Sequence, residues 1–311
     1  MGATNMKSVD LGRSGLNASA VALGIMRING LADDAAAVNV LETAVANGIN
    51  FFDNADMYGK GECEARFGRA LRQSKIKRED ILIQTKVGIV DHAYDFSKKH
   101  LVEAVDASLQ RLGVDYVDSL LLHRPDPLFE PEEIAEVFDG LQNAGKVRQF
   151  GVSNMNPSQV DLLQHSLNQK LIVNQLQFGV MHTGPVDAGM HVNMSDPRSV
   201  DHDGGIIEYS RLHNMTIQAW SPFQYGFFEG VFIDNPKFME LNDELQKLAD
   251  KYHVTKNGIA VAWILRHPAH MQVILGSMNL ERIAQMAAGA DVQLTHQEWY
   301  DVYFAAGNDL P

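Results

Sequence analysis

The stretch NFFDNADMYGKGECE, residues 50–64, begins as a short apolar run and then changes to polar groups and a glycine-rich turn. An apolar run of this length predicts a buried β-strand, and Asp53 lies where that strand ends. Tyr58 follows five residues later, in the loop after the strand. Similar strand endings recur along the chain, and they predict both the fold and the position of the functional site.

Short runs rich in Val, Ile and Leu recur about every 30 residues and alternate with stretches of helical period. The runs are SAVALG near 22, INFFD near 51, DILIQTK near 83, DSLLLH near 120, RQFGVSN near 150, IVNQ near 174, MTIQAW near 218 and MQVILGS near 274. The helical stretches include AAAVNVLETAVANG, SKKHLVEAVDASLQRLG, PEEIAEVFDGLQNAG and LERIAQMAA. Eight such units in an uninterrupted chain predict an α/β fold: one (β/α)8 TIM barrel domain over residues 1–311, with extended loops at its C-terminal face. A doubly wound open sheet is the alternative.

The composition is that of a packed globular protein, with 45% hydrophobic and 21% charged residues. No run of about 18 apolar residues is present, and the N-terminal MGATNMKSVDLG has no apolar core with a cleavage site. Cys63 is the single cysteine, so we expect no disulfide and a cytoplasmic location. The net charge of −13 argues against nucleic acid as a partner. We expect no membrane partner and, by default, a monomer.

Nearly every predicted strand stops on a polar or hydrogen-bonding side chain. These endings are Asp53, Lys86, His123, Ser153 with Asn154, Asn174 with Gln175, and Trp220 with Ser221. A single Asp or Asn at a strand end is usually a turn or helix cap. Six successive endings of this kind are harder to attribute to capping, and the carboxyl ends of parallel strands meet at one edge. We therefore expect the site at that edge.

Within this set, Asp53, Lys86 and His123 predict one converging group that Tyr58 reaches from its loop. A free tyrosine has a pKa of roughly 10, and a neighbouring ammonium lowers that pKa and makes the phenol a usable proton donor. A lysine among strands tends to lose its proton, whereas Asp53 within pairing distance keeps Lys86 charged. His123 would orient a carbonyl oxygen. The alternatives are a buried ion pair, a hydrogen-bonded strand-end histidine and a loop aromatic.

These residues resemble the aldo-keto reductase superfamily. The resemblance rests on DMYG after Asp53, QTKVG, LLHRPDP, GVSN at 151–154, NQLQF at 174–178, AWSPF at 219–223 and ILGSMNLERIAQ at 274–285. The long loop before GGIIEY is similar to that of the bacterial YdhF-like branch. The resemblance implies a (β/α)8 barrel that transfers hydride from NAD(P)H to an aldehyde or ketone. It implies Tyr58 as the general acid, with Asp53, Lys86 and His123 completing a tetrad.

The same resemblance implies a site for NADP(H), and no GxGxxG motif competes with it. Ser153, Asn154 and Gln175 would hold the nicotinamide carboxamide, and Trp220 would stack on the nicotinamide. The remaining implied cofactor contacts are Gly24, Met26, Ser221, Pro222, Phe223, Gly276, Ser277, Asn279, Arg282 and Gln285. Two positions depart from the family, because Gly276 stands where lysine is frequent and Gln285 where glutamate is frequent.

Arg282 bears on the choice between NADPH and NADH. Asn279 is a plausible N-cap, which places Arg282 in the first turn of a helix, where the helix dipole disfavours a cation. An anion such as the 2′-phosphate of NADP would compensate. The alternative is that Arg282 pairs with Glu281 or another carboxylate on a solvated helix face.

Two other functions remain compatible with these residues. Lys86 on a barrel strand could form a Schiff base in a lyase or aldolase if its pKa were depressed. Alternatively, the chain could be a cofactor-binding sensor or scaffold.

The segment from 178 to 205 predicts a long lid or binding loop. Its histidines, His182, His191 and His202, are irregularly spaced, so we expect a solvated loop and no metal. Met26, Arg27 and Arg124 should join this loop at the pocket rim. Their mixed chemistry predicts broad acceptance of small carbonyl compounds.

Overall fold

The computed structural model describes residues 6–311, so the first five residues of the N-terminal segment lie outside the described part. Eight parallel strands form a closed barrel, in which each strand pairs with the next along the chain and the eighth pairs with the first. In chain order they are β1 Val21–Gly24, β2 Phe51–Asp53, β3 Leu82–Val87, β4 Val117–Leu122, β5 Val147–Ser153, β6 Leu171–Gln177, β7 Thr216–Trp220 and β8 Gln272–Leu275. The (β/α)8 prediction is confirmed, and closure rules out the open sheet.

The strand register brings the polar strand endings to one rim. Gly24 lies opposite Asp53, and Asp53 lies opposite Gln84, two residues before Lys86. On the far side, Ser153 lies opposite Gln175. Parallel strands in register carry their carboxyl-terminal residues to the same end of the barrel, so residues distant in sequence become neighbours there.

Helices surround the barrel and cover its outer face. They are α1 Asp34–Ala46, α2 Glu62–Gln73, α3 Lys98–Leu112, α4 Pro131–Asn143, α5 Pro157–Ser166, α6 Gly184–Met190, α7 Ile206–Leu212, α8 Met239–Tyr252, α9 Lys256–Leu265, α10 Leu280–Ala288 and α11 His296–Ala305. Asn279 is the N-cap of α10, as predicted, because its side chain accepts a hydrogen bond from the Arg282 N–H. No helix within residues 6–311 is both long and apolar enough to cross a membrane.

An N-terminal hairpin, Ser8–Asp10 paired with Asn17–Ser19, closes the other end of the barrel. The turn of this hairpin inserts Leu11, which is fully buried against the barrel interior with Phe51 and Ile172. Gly12 follows at φ +60°, and a Cβ there would lie 2.5 Å from the Cβ of Ile172, so only glycine fits. No sequence pattern predicted this hairpin, because its three-residue strands are too short to show a period.

The 178–205 segment is more ordered than the predicted loop. It contains α6 and a 3-10 turn at Pro197–Ser199. Arg198 connects it to the C-terminal tail, through an ion pair of 3.0 Å with Asp309 and a hydrogen bond to the Gly307 carbonyl. Tyr303 donates a 2.7 Å hydrogen bond to Asp187 of α6. These contacts fix the segment against the body of the protein.

Candidate active site

The four residues expected to form a catalytic group lie together at the C-terminal mouth of the barrel. The Lys86 ammonium is 2.7 Å from both carboxylate oxygens of Asp53, and it also donates to the Asn54 carbonyl at 2.8 Å. Its nitrogen lies 5.1 Å from the centre of the Tyr58 ring. The Tyr58 and His123 rings meet edge to face, with centroids 5.8 Å apart.

Burial governs the protonation of this group. Burial alone would lower the pKa of Lys86, but the negative charge of Asp53 and its hydrogen bonds raise that pKa above its ordinary value, so the amine stays protonated. For Tyr58, burial raises the phenol pKa by more than the Lys86 ammonium lowers it. The predicted lowering of the Tyr58 pKa is therefore wrong. The phenol keeps its proton throughout the neutral range.

His123 is buried, and its ring is free to bind a ligand. Neither ring nitrogen bonds to another residue of the described chain, and Nδ1 is fully enclosed. Burial lowers the pKa of His123 well below its ordinary value, and the charges of Lys86 and Arg124 add to that effect. The imidazole is therefore neutral, and it can donate one hydrogen bond to an oxygen in front of Tyr58.

A chain of buried glutamines supports Asp53 from below. The amide nitrogens of Gln84 and Gln175 donate to one Asp53 oxygen at 2.7 and 3.2 Å. Both amides also donate to Gln218, which donates to Gln272 at 2.8 Å. This chain of glutamines was not predicted, although a glutamine within each of the apolar strands DILIQTK, TIQAW and MQVIL is a visible signal for it.

A second polar layer lies behind Tyr58 and was also missed. Glu64 is fully buried, accepts a hydrogen bond from Thr85 and pairs with Arg111 at 2.7 Å. Burial, reinforced by the Glu64 charge, raises the pKa of Asp56 to about 7. The loop that carries Tyr58 is attached to β3 by Lys86, whose ammonium donates to the Asn54 carbonyl and whose own carbonyl accepts from the Asp56 N–H.

A cavity of about 460 Å³ opens at this mouth and extends toward α10. Most of the residues expected to contact substrate or cofactor line it: Gly24, Met26, Asp53, Tyr58, His123, Ser153, Asn154, Gln175, Trp220, Ser221, Pro222, Phe223, Gly276, Ser277 and Arg282. Arg27 and Arg124 also line it, as expected for the rim. Lys86 lies beneath its wall, bonded to Asp53. The 178–205 segment, expected at this rim, contributes no residue to this cavity.

The inner end of the cavity presents a preformed polar cluster. Asn154 donates to the Ser153 hydroxyl at 2.6 Å and accepts from the Trp220 indole at 3.2 Å. Asn154 and Ser221 both have left-handed backbone conformations, with φ of 58° and 49°. Such conformations persist where surrounding contacts impose them, and they are frequent at ligand sites. A planar amide ligand beside a flat indole fits this arrangement.

The outer end of the cavity carries Arg282 in the first turn of α10. Its side chain is exposed and has no ion-pair partner within residues 6–311, although Glu281 is adjacent. Asn279 and Gln285 lie off the cavity wall. Asn279 caps α10, and Gln285 bonds to Glu281 and Asn257. An unpaired cation at a helix N-terminus fits an anionic group such as a phosphate.

The three loop histidines are not brought together. His191 is buried and paired with Asp196 at 3.0 Å, which contradicts the expectation of a fully solvated loop. His182 and His202 line a neighbouring cavity instead. The part of the chain that the structure describes contains no group of three or more His, Cys, Asp or Glu side chains placed to hold a metal ion.

The fold and the site are those of a (β/α)8-barrel oxidoreductase. Comparison with known proteins identifies its family. A family model described as the aldo/keto reductase family matches residues 20–303. The chain therefore belongs to the aldo/keto reductase family. It is an enzyme that reduces carbonyl groups of small molecules with NADP(H).

Individual relatives agree with this assignment. The 6-dehydroglucose reductase of Agrobacterium fabrum (strain C58) is 33% identical over 304 residues, which cover 94% of this chain and 95% of that protein. Oxidoreductase YdhF of Escherichia coli (strain K12) is 33% identical over 284 residues, which cover 88% of this chain and 89% of that protein. The predicted resemblance to the YdhF-like bacterial branch is confirmed.

A solved structure gives the same fold. An aldo-keto reductase from Klebsiella pneumoniae, crystallised in complex with NADPH, has a TM-score of 0.76 at 24% identity. The comparison covers 96% of this chain and 94% of that one.

Proposed function

We propose that Tyr58 is the proton donor in the reduction of an aldehyde or ketone by this enzyme, with Lys86, Asp53 and His123 in supporting roles. The observation that carries this proposal is the Lys86 ammonium, held by Asp53 at 2.7 Å and lying 5.1 Å from the Tyr58 ring. When NADPH is bound, its nicotinamide supplies the hydride.

Each side chain of the group has a separate task. Tyr58 holds its proton at neutral pH and delivers it to the carbonyl oxygen as that oxygen gains negative charge. The phenolate that remains is stabilised by the Lys86 ammonium, which Asp53 and the Asn54 carbonyl keep in place. The neutral His123 ring orients the carbonyl oxygen toward the phenol by a hydrogen bond.

A Schiff-base lyase requires Lys86 to be an uncharged nucleophile. The bidentate contact with Asp53 and the raised pKa of Lys86 both favour the charged amine. Lys86 also lies behind the cavity wall, fully buried. These features support reduction over lyase chemistry.

The chain's own residues fit NADP(H). Ser153, Asn154 and Gln175 offer donors and acceptors for a carboxamide, and Trp220 offers an aromatic face. At the outer end, the unpaired Arg282 would pair with the 2′-phosphate. Gly276 and Gln285 supply no further charge there, so Arg282 would carry most of the preference for NADPH over NADH.

We also propose a substrate class, an oligomeric state and a cellular location for this enzyme. Two polar rim groups, Arg27 and Arg124, favour a small carbonyl compound that carries hydroxyl groups, and a relative named 6-dehydroglucose reductase is consistent with that class. Residues 1–311 would act as a single domain and, by default, as a monomer. The single, buried Cys63 favours a cytoplasmic location.

Replacing Tyr58 with Phe tests the proposal, because it removes only the hydroxyl. We expect kcat for aldehyde reduction to fall by about two orders of magnitude or more, while the Kd for NADPH stays within about twofold. Stopped-flow rates of NADPH oxidation and fluorescence titration of NADPH measure the two quantities.

Tyr94→Phe provides the matched control, since Tyr94 is 42% exposed on a hairpin outside the cavity. It should leave both quantities unchanged. A Tyr58→Phe enzyme that reduced aldehydes at the parental rate would remove Tyr58 from the mechanism.

A further inference from the structure

A second cavity, of about 420 Å³, adjoins the first at the barrel mouth. Arg124, Asn154 and Trp220 line both cavities, so a ligand that extends past these residues reaches from one into the other. Further wall residues come from the start of α5, from the 178–205 segment, from the end of β6, and from Ile206 and Phe227. That segment therefore shapes this second cavity and leaves the first untouched.

Two half-buried side chains of this cavity, Asp203 and His182, lie close enough for their charges to interact. Neither the Asp203 carboxylate nor the His182 ring hydrogen-bonds to another residue within 6–311, although each is partly shielded from water. Burial raises the pKa of Asp203 and lowers the pKa of His182, so burial disfavours the charged form of each. Both side chains are open to the cavity, so a ligand there can accept a hydrogen bond from one and donate a hydrogen bond to the other.

The chemistry of the wall selects among polar ligands. Asn156 and Gln159 contribute side-chain amides, and Phe227 joins Trp220 as an exposed aromatic surface. Arg124 and Asp203 are of opposite sign, so neither an anion nor a cation is clearly favoured. Hydroxyl groups both donate and accept, and the C–H faces of a carbon chain pack on aromatic rings. A neutral polyhydroxyl group meets all of these conditions.

Trp220 is held as a fixed boundary between the two cavities. Its indole donates to Asn154, its ring lies nearly parallel to that of Phe228 at 6.1 Å, and the Arg124 guanidinium lies 5.8 Å from its centre. A rigid boundary sets the separation between the reacting carbonyl and the part of the substrate beyond it.

We propose that the second cavity binds the hydroxyl-bearing part of a sugar-type aldehyde or ketone while its carbonyl lies beside Tyr58 and His123. This inference rests on the proposed function and adds a binding subsite to it. Asp203 accepts hydrogen bonds from neighbouring hydroxyls, and His182 completes the contact from the same loop.

Steady-state kinetics with two aldehydes of equal length test the subsite: D-erythrose, which carries hydroxyls, and butanal, which does not. Asp203→Ala should raise the KM for D-erythrose by about tenfold, the loss expected for one strong hydrogen-bond acceptor. The KM for butanal and both kcat values should stay within about twofold. His182→Ala should act in the same direction by a smaller factor.

Asp243→Ala is the control, because Asp243 is exposed on α8 and makes no ion pair in the described chain. Circular dichroism and NADPH titration check that each variant is folded. The subsite is overturned if Asp203→Ala and His182→Ala leave the KM for D-erythrose unchanged, or raise it equally for butanal.

Failure of the proposed function has a different signature, namely a parent enzyme that oxidises NADPH with neither aldehyde. In that case, calorimetric titration of D-glucitol into the NADP-loaded protein decides the subsite. Binding that Asp203→Ala weakens supports it, and absence of binding by the parent overturns it.

Discussion

At the C-terminal end of the barrel, Lys86 and Gln175 both bond to a buried Asp53, whereas Leu11 and Ile172 fill the N-terminal end with hydrocarbon. The Asp53 and Lys86 side chains at one end and the Leu11 side chain at the other are all buried. The C-terminal end is held by hydrogen bonds between charged and amide groups, and the N-terminal end mainly by packing of apolar side chains, beside a 2.9 Å hydrogen bond from the Gly12 N–H to the Thr216 hydroxyl. Each kind of interior has a different consequence for the molecule.

Burying the Lys86–Asp53 pair costs desolvation energy that their attraction only partly recovers. The apolar end has no such cost, and each buried leucine there stabilises the fold by about 1.5–3 kcal/mol. We infer that packing at the N-terminal end stabilises the folded protein. The buried charges at the C-terminal end lower that stability, and they are retained because the reaction needs them. Substitutions at the two ends should therefore affect different measurable quantities.

Lys86→Met should have the largest effect, because it removes the ammonium beside Tyr58. We expect kcat to fall by at least about 100-fold. The Asp53 carboxylate is then buried without its counter-charge, so the free energy of unfolding should also drop by about 3 kcal/mol. Kinetics and urea unfolding measure the two effects, with the exposed Lys77→Met as the control. An unaltered kcat would contradict the proposed role of the Lys86–Asp53 pair in catalysis.

Leu11→Ala should lower the stability of the protein without changing its catalytic rate. The side chain is fully buried, so its truncation should lower the free energy of unfolding by about 3 kcal/mol. The kcat should remain parental, because the reacting groups lie at the opposite end. Leu212→Ala, at a leucine that is 79% exposed, should change neither quantity. A fall in kcat with Leu11→Ala would show that the ends are coupled.

Arg282→Ala changes the outer end of the cavity, and its effect on cofactor preference should be the smallest of the three effects. A charge-assisted contact with the 2′-phosphate contributes roughly 1.5–3 kcal/mol, so the preference for NADPH over NADH should narrow by about tenfold or more. Titration of each cofactor measures the ratio, and the exposed Arg72→Ala serves as the control. An unchanged ratio would assign cofactor preference to other residues.

Local sequence patterns determined the barrel and the identity of its polar strand endings. Each strand is a short apolar run, and the ending of each run is visible in the sequence without any knowledge of its neighbours. The cap at Asn279 is local in the same sense, since its partner is three residues away. Because parallel strands share one carboxyl edge, these local features were enough to place Asp53, Lys86, His123 and Tyr58 in one region.

Only the tertiary structure decided how those residues behave. The hydrogen bond between Gln84 and Gln218 joins residues 134 positions apart, and it exists because the barrel closes. The Tyr58 pKa rises instead of falling because surrounding elements bury the phenol, and burial cannot be deduced from the identity of the neighbouring lysine. The 178–205 segment lines a second cavity, and Arg198 attaches this segment to the C-terminal tail 111 positions away, at Asp309. Burial and long-range contact depend on the assembled chain, and no local pattern encodes them.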